Sequence, residues 1–259
     1  MMNLADEWNS SIKQSSYLKI LNEKGISNND FWKNLDYYDE LMKYSGYPGK
    51  ILDRISTFIF PEDILLDIGS GAGAFALPLS KISNKLIALD PSPYQLSILK
   101  SKAEADKCDN ILYIEKEWKN VSKYEIGHVD YSLAAYSFFE DDIYSFLEKL
   151  IYVATKGIFL VFRAGRGDPL REYVYNNKNS VDFLHLYNIL SEMGYIFNVE
   201  IFTSDYKLPL PFVYRSYPYS IKTEDEIFNY LNENNRLIKK QNFYEVLCQR
   251  KDALLYLIK

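Results

Sequence analysis

The sequence predicts an α/β fold, with a mostly parallel sheet of about seven strands, helices on its faces and an N-terminal helical cover. Three observations predict it. Short β-rich runs alternate with helical windows from residue 61 onward, one of those runs leads directly into the glycine loop Gly69-Ser70-Gly71-Ala72-Gly73, and everything before the first run has helical periodicity. A chain of 259 residues, 47% apolar and 25% charged, is long enough to bury a substantial core and is ordinary globular material.

The elements follow in order. From Trp8 to about Phe60, apolar residues recur at helical spacing: Tyr17, Leu18, Ile20 and Leu21, then Trp32, Leu35, Tyr38 and Leu41, then Ile51, Ile55 and Phe58. Asn28-Asn29-Asp30 and Pro48-Gly49 supply the cap or turn signals between them. Residues 1–60 are therefore read as a helical cap and 61–259 as the main domain. Strands are expected at 64–68, 86–89, 111–114, 131–135, 158–162, 198–202 and 254–258, and helices near 73–82, 92–105, 139–153 and 181–193. Two insertions interrupt this alternation. One, near 164–180, carries Arg163, Arg166 and Arg171 at or near its start; the other, near 206–240, is broken by Pro209, Pro211 and Pro218. Within the second, Thr223 and Glu226 form a capping box opening an amphipathic helix expected to run to Ile238.

Composition narrows the function classes. The start lacks the basic and apolar segments of a secretory signal and no apolar run spans a bilayer, so a soluble cytoplasmic protein without a membrane partner is expected. Cys108 and Cys248 lie far apart in no metal-ligand spacing, so neither a disulfide scaffold nor a metal site is expected. A net charge of −5 gives no electrostatic footprint for a phosphate backbone, which disfavours nucleic acid. His128 and His185 belong to no triad or ligand cluster.

The informative stretch is Leu65-Leu66-Asp67-Ile68-Gly69-Ser70-Gly71-Ala72-Gly73, a buried strand entering a glycine loop and then a helix. Glycines let a ligand approach the backbone amides at the helix N-terminus. Asp90 closes the next strand 19 residues after Gly71, where a carboxylate can accept hydrogen bonds from both ribose hydroxyls. Dinucleotides and S-adenosylmethionine (SAM) both use such a loop. A pyrophosphate gains nothing from the Asp67 carboxylate beneath its cradle, whereas SAM carries an ammonium and a sulfonium, so Asp67 favours SAM.

On these residues the chain resembles the class I SAM-dependent methyltransferases, in element order over about residues 30 to 259 and in motif over 65–90. The resemblance implies a Rossmann-like methyltransferase sheet whose last strand is antiparallel. It implies that Asp67, Gly69, Gly71 and Gly73 contact the amino acid end of SAM and that Asp90 binds its ribose. It also implies an acid after the third strand for the adenine amino group: Glu117, with Glu115 as the competitor, and Trp118 alongside as an adenine wall or as core packing. Ala135 and Tyr136 close the fourth strand at the cofactor cleft.

That strand end reads Ala134-Ala135-Tyr136-Ser137-Phe138 and lacks the Asn/Asp-Pro-Pro-aromatic motif of enzymes that methylate base amino groups, so a small-molecule acceptor is expected. Tyr47, Ser137, Arg163 and His185 are its candidate contacts, Tyr47 because an aromatic face stabilises onium charge and Arg163 as part of an anion clamp with Arg166 and Arg171. Against the clamp stands the pairing of these arginines with Asp168 and Glu172. Methyl transfer requires no metal and no covalent nucleophile, and no catalytic base is assigned. The alternatives are an NAD(P)-dependent oxidoreductase and a non-catalytic SAM-binding protein.

Overall fold

The computed structural model describes residues 4–14, 16–35, 37–165, 167–176 and 181–259. The helical cap comprises α1 (Leu4–Lys13), α2 (Ser16–Lys24), α3 (Asn28–Lys33), α4 (Tyr38–Ser45) and α5 (Gly49–Ser56). Alternation then begins with β1 (Ile64–Ile68), α6 (Ala76–Ser80), β2 (Lys85–Leu89), α7 (Pro93–Ala105) and β3 (Ile111–Ile114). It continues through α8 (Lys123–Ile126), β4 (Val129–Ala135), α9 (Ile143–Val153) and β5 (Ala154–Arg163). The remainder is α10 (Pro169–Tyr175), α11 (Phe183–Glu192), β6 (Asn198–Pro209), α12 (Leu210–Arg215), α13 (Glu224–Glu233), β7 (Leu237–Lys239) and β8 (Tyr244–Ile258).

Local chemistry starts these helices. Ser92 caps α7 with Pro93 in its first turn, Asp142 caps α9, and Thr223 with Glu226 forms the expected capping box of α13. The strands obey the period of two. Leu66, Ile68, Ile87, Leu89, Ile158 and Leu160 pack on one face of the sheet, against Trp8 of α1, Phe146 of α9 and Leu186 of α11. Leu65, Leu86, Ala88, Leu133, Phe159 and Val161 pack on the other, against Ile51 and Ile55 of α5, Leu79 of α6 and Leu99 of α7. Both faces are covered, as a parallel sheet requires.

The strand order is β3-β2-β1-β4-β5-β8-β6. The first five strands are parallel, and β8 runs antiparallel between β5 and β6. This is the Rossmann-like methyltransferase sheet with its antiparallel last strand. A dinucleotide-binding sheet places the sixth strand directly beside the fifth.

Three expectations need correction. Strands six and seven were expected at 198–202 and 254–258, but β6 and β8 are far longer, pairing from Asn198↔Tyr256 to Pro209↔Glu245. Beyond Arg163↔Asp252 they leave the β5 edge and continue as an antiparallel arm, joined by β7. The arm is half-exposed, so its residues alternate in polarity and carry no continuous apolar run. The helix expected to reach Ile238 ends at Glu233, where Asn235 takes the left-handed conformation and turns the chain into β7. The two insertions form a third core of their own: Leu170 and Val174 of the first pack with Leu208, Val213, Ile227 and Leu231 of the second and Val246 of the arm.

Helix α1 is anchored by Trp8, which is fully buried with its ring 5.5 Å from that of Phe162. Trp8→Ala is expected to lower unfolding stability by about 3–5 kcal/mol in urea titration, the cost of emptying a large core position. A loss below about 1 kcal/mol would show that α1 is a detachable cover.

Candidate functional site

The site is built from the C-terminal ends of β1, β2, β4 and β5, the edge where open α/β sheets bind ligands. As the chain leaves β1, the amides of Gly69 and Ser70 both donate to the carbonyl of Leu89, at 2.8 and 3.0 Å. The loop then closes on Asp90: Gly71 N donates to Oδ2 at 2.9 Å and Ser92 N donates to Oδ1 at 2.8 Å. Glycine is required at Gly69 and Gly73 twice over. Both have positive φ, and a side chain would collide with Ser137 at the first and with Leu99 at the second.

Asp67 and Asp90 are both buried. Burial, reinforced by the charge of Asp90, pushes the Asp67 carboxyl up to about 7, although the amide of Ala76 donates to it and opposes the rise. Burial also raises Asp90, against the two amides that donate to it. The Ser70 hydroxyl of the same loop is buried and, among the described residues, has no hydrogen-bond partner. Two costly carboxylates and an orphaned hydroxyl suit a ligand that offers a cation and hydroxyl groups. The residues present therefore fit the amino acid and ribose portions of SAM.

The cap folds over this edge. Asn29 of α3 accepts from Ser92 Oγ and Tyr94 N, each at 3.0 Å, and Lys102 bridges Asp39 of α4 to the carbonyl of Ala72 in the loop. Burial, then the charges of Asp90 and Glu117, raises the phenol of Tyr17 of α2. Its ring packs 4.9 Å from Phe31 and 4.8 Å from Phe139.

Beyond Tyr17 and Tyr136 opens a cavity of about 1430 Å³, walled by the cap on one side and the β6–β8 arm on the other. Tyr136 ends β4 with a positive φ, an uncommon conformation for an aromatic residue, and donates its phenolic hydrogen to Asp252. Asp252 also takes both bonds of Arg250 Nε, at 2.9 and 2.7 Å, and the Arg250 guanidinium lies 3.8 Å over the Tyr47 ring.

The expected residues divide accordingly. Asp67, Gly69, Gly71, Gly73 and Asp90 form one cradle, and Ala135, paired with Val161, places Tyr136 beside it. Glu117 is exposed near Tyr17 and pairs with Lys119 at 3.0 Å. Trp118 is core packing: its indole is 3% exposed and donates to the Phe146 carbonyl, which leaves no face for adenine. Ser137 packs against Gly69, on the loop rather than the acceptor side. Tyr47 does not line the cavity, because Arg250 occupies its ring face; Tyr38 and Tyr44 of α4 do line it. His185 lies against Asp182 in the capping box of α11 and away from the cavity wall. Arg163 and Arg171 line the cavity, and Arg166 falls outside the described residues.

Tyr17, Trp32, Arg250 and Asp252 were not anticipated. Arg250 and Asp252 carried a readable signal, two opposite charges spaced by two residues immediately before an apolar strand, hence on one face of it.

Residues 65–157 match a family model described as a methyltransferase domain. An uncharacterized protein of Haemophilus influenzae is 30% identical over 118 residues, 46% of this chain and 43% of that protein, so the chain spans less than half the length of the curated relative it matches. Among solved structures, the YcgJ protein of Bacillus subtilis has a TM-score of 0.60 at 16% identity, covering 80% of this chain and 97% of that one. Magnesium protoporphyrin IX methyltransferase from Synechocystis, with bound SAH, has a TM-score of 0.52 at 12% identity, covering 88% and 96%. At these identities the likeness is one of fold. No helix among the described residues is long and apolar enough to cross a membrane.

The Asp67 environment has a pH signature. A carboxyl raised in the native state favours folding below its unfolded value of 3.8, and that contribution is lost as pH rises toward about 7. Without ligand, stability from this group should fall between about pH 4 and 7, and Asp67→Asn should flatten the fall; denaturation at several pH values measures it. An unchanged slope in the variant would show that Asp67 ionises freely.

Proposed function

We propose that this chain, with a methyltransferase domain match at its centre and the class I fold around it, is a SAM-dependent methyltransferase acting on a small-molecule acceptor. One observation carries the reading: the glycine loop closes on Asp90 at the same sheet edge where Tyr136, following β4, lines a cavity walled by the cap and the arm. Its volume of about 1430 Å³ exceeds the few hundred cubic ångströms expected of a compact pocket and leaves room for a bulky acceptor.

When bound, SAM supplies a methyl carbon on positive sulfur; the acceptor's lone pair forms the new bond while the pair of the broken carbon–sulfur bond stays on sulfur. The chain's own contribution is placement. Asp90 has lone pairs left for two ribose hydroxyls, and Asp67, in its charged form, offsets the ammonium. Tyr136 and Phe162 wall the place where the acceptor must approach to about 3 Å, and the aromatic cap keeps water away. The antiparallel β8 between β5 and β6 argues against the oxidoreductase alternative.

SAM or SAH at a hundredfold over its dissociation constant should stabilise the protein by about 2.7 kcal/mol, visible as a thermal shift, and NAD and NADP should give none. A shift with NAD alone would overturn the reading. Asp90→Ala should weaken SAM binding by about 1.5–3 kcal/mol in calorimetry, the worth of a charge-assisted hydrogen bond. Unchanged affinity would leave Asp90 only the task of holding the loop.

A further inference from the structure

Among the described residues, Arg163, Arg171, Arg236, Arg250, Lys207 and Lys251 line the cavity beside two carboxylates, Asp168 and Asp205, and Arg171 is engaged elsewhere. Both acids are engaged. Asp168 takes a two-point bond from Arg236 at 2.6 and 2.8 Å, and Asp205 accepts from Gln249 at 2.8 Å. Arg250 is matched by Asp252 behind it. Lys207 and Lys251 are exposed, so water answers their charge.

Arg163 is different. It ends β5 beside Tyr136, its Nε is buried without a hydrogen-bond partner, and among the described residues no carboxylate pairs with it. The Asp168 that could have neutralised it is held by Arg236. Asp182 favours its charge from a distance, but that carboxylate is engaged by Leu184 N and His185. Burial works against the guanidinium, whose carbon lies 5.0 Å from the Phe162 ring centre. A half-buried guanidinium with an unmet donor is costly unless a ligand completes it. On the proposed reading of the site a sulfonium also sits at this edge, which places a second cation near Arg163 and makes an intervening anion more favourable still.

Apart from Asn234 and Gln249, the uncharged part of the wall is mainly apolar or aromatic: Phe162, Phe139 and Tyr136 at the cofactor end, Trp32 and Tyr38 from the cap, and Tyr206 from the arm. We propose that the acceptor is a carboxylic acid with an aromatic or otherwise apolar body, its carboxylate held by Arg163 at the cofactor end of the cavity. A carboxylate matches the single charge and planar fork of one guanidinium. The inference rests on the methyltransferase reading only for naming this ligand an acceptor; the anion site stands on the cavity itself.

The test uses a matched pair of probes, 2-naphthoate and 2-naphthamide, titrated into protein saturated with SAH. Trp32 lines the cavity while Trp8 and Trp118 are buried, so tryptophan fluorescence reports occupancy. The acid is expected to bind about tenfold or more tightly than the amide. Arg163→Met, which keeps the aliphatic stem, should bring the acid to the level of the amide while SAH affinity stays unchanged. Should that variant fail to fold, raising potassium chloride on the unmodified protein should weaken the acid and spare the amide. Equal binding of the two probes, or an acid preference that survives Arg163→Met or high salt, would overturn the proposal. Preference for the acid with no SAH binding would instead reject the methyltransferase reading and leave the anion site in place.

Discussion

The Asp90 carboxylate is the hinge of the site. It closes β2 at the sheet edge and accepts the amides of Gly71 and Ser92, so one side chain joins the glycine loop of the first βαβ unit to the start of α7. The loop can take this course only because Gly69 and Gly73 are free of side chains that would strike Ser137 and Leu99. Helix α3 then docks on the same place, since Asn29 accepts from Ser92 and Tyr94. Loop, helix start and cap thus share one anchor. The cost is a pair of buried carboxylates, Asp67 and Asp90, each raised by burial and Asp67 raised further by its neighbour. Such stored electrostatic strain is relieved by a ligand that brings positive charge and hydroxyl donors.

The second constraint is the β6–β8 arm. Past the β5 edge these strands pair, among the described residues, with each other and with β7 alone, so their apolar side chains need a separate cover. The two insertions supply it, through α10, α12 and α13, and the result is a small third core beside the main sheet. Arm and cap face one another across the C-terminal edge of the sheet, and the space between them is the cavity. The same arm brings Arg250 and Asp252 to the end of β4, where they fix the phenol of Tyr136 and fill the face of Tyr47. Removing either charge would leave its partner buried and unmatched, so this network sets the shape of the cavity floor more than it adds to net stability.

The alternation of strands and helices through β5, the glycine loop and the position of Asp90 at the end of β2 were legible in the sequence. Buried parallel strands read as short apolar runs, and a tight turn into a helix demands glycines at fixed positions; both are local constraints that leave local marks. The capping box at Thr223 and Glu226 was equally local. What depended on distant partners could not be read. The arm was hidden by its own alternation, Trp118 was claimed by Phe146 rather than by a ligand, and Tyr47 by Arg250 across some two hundred residues of chain. For Arg163, proximity in sequence suggested Asp168 as a balancing charge, and only the folded chain gave Asp168 to Arg236 and left Arg163 facing the cavity. Backbone geometry is imposed by neighbours along the chain; the pairing of charges and rings is decided by which elements meet in space.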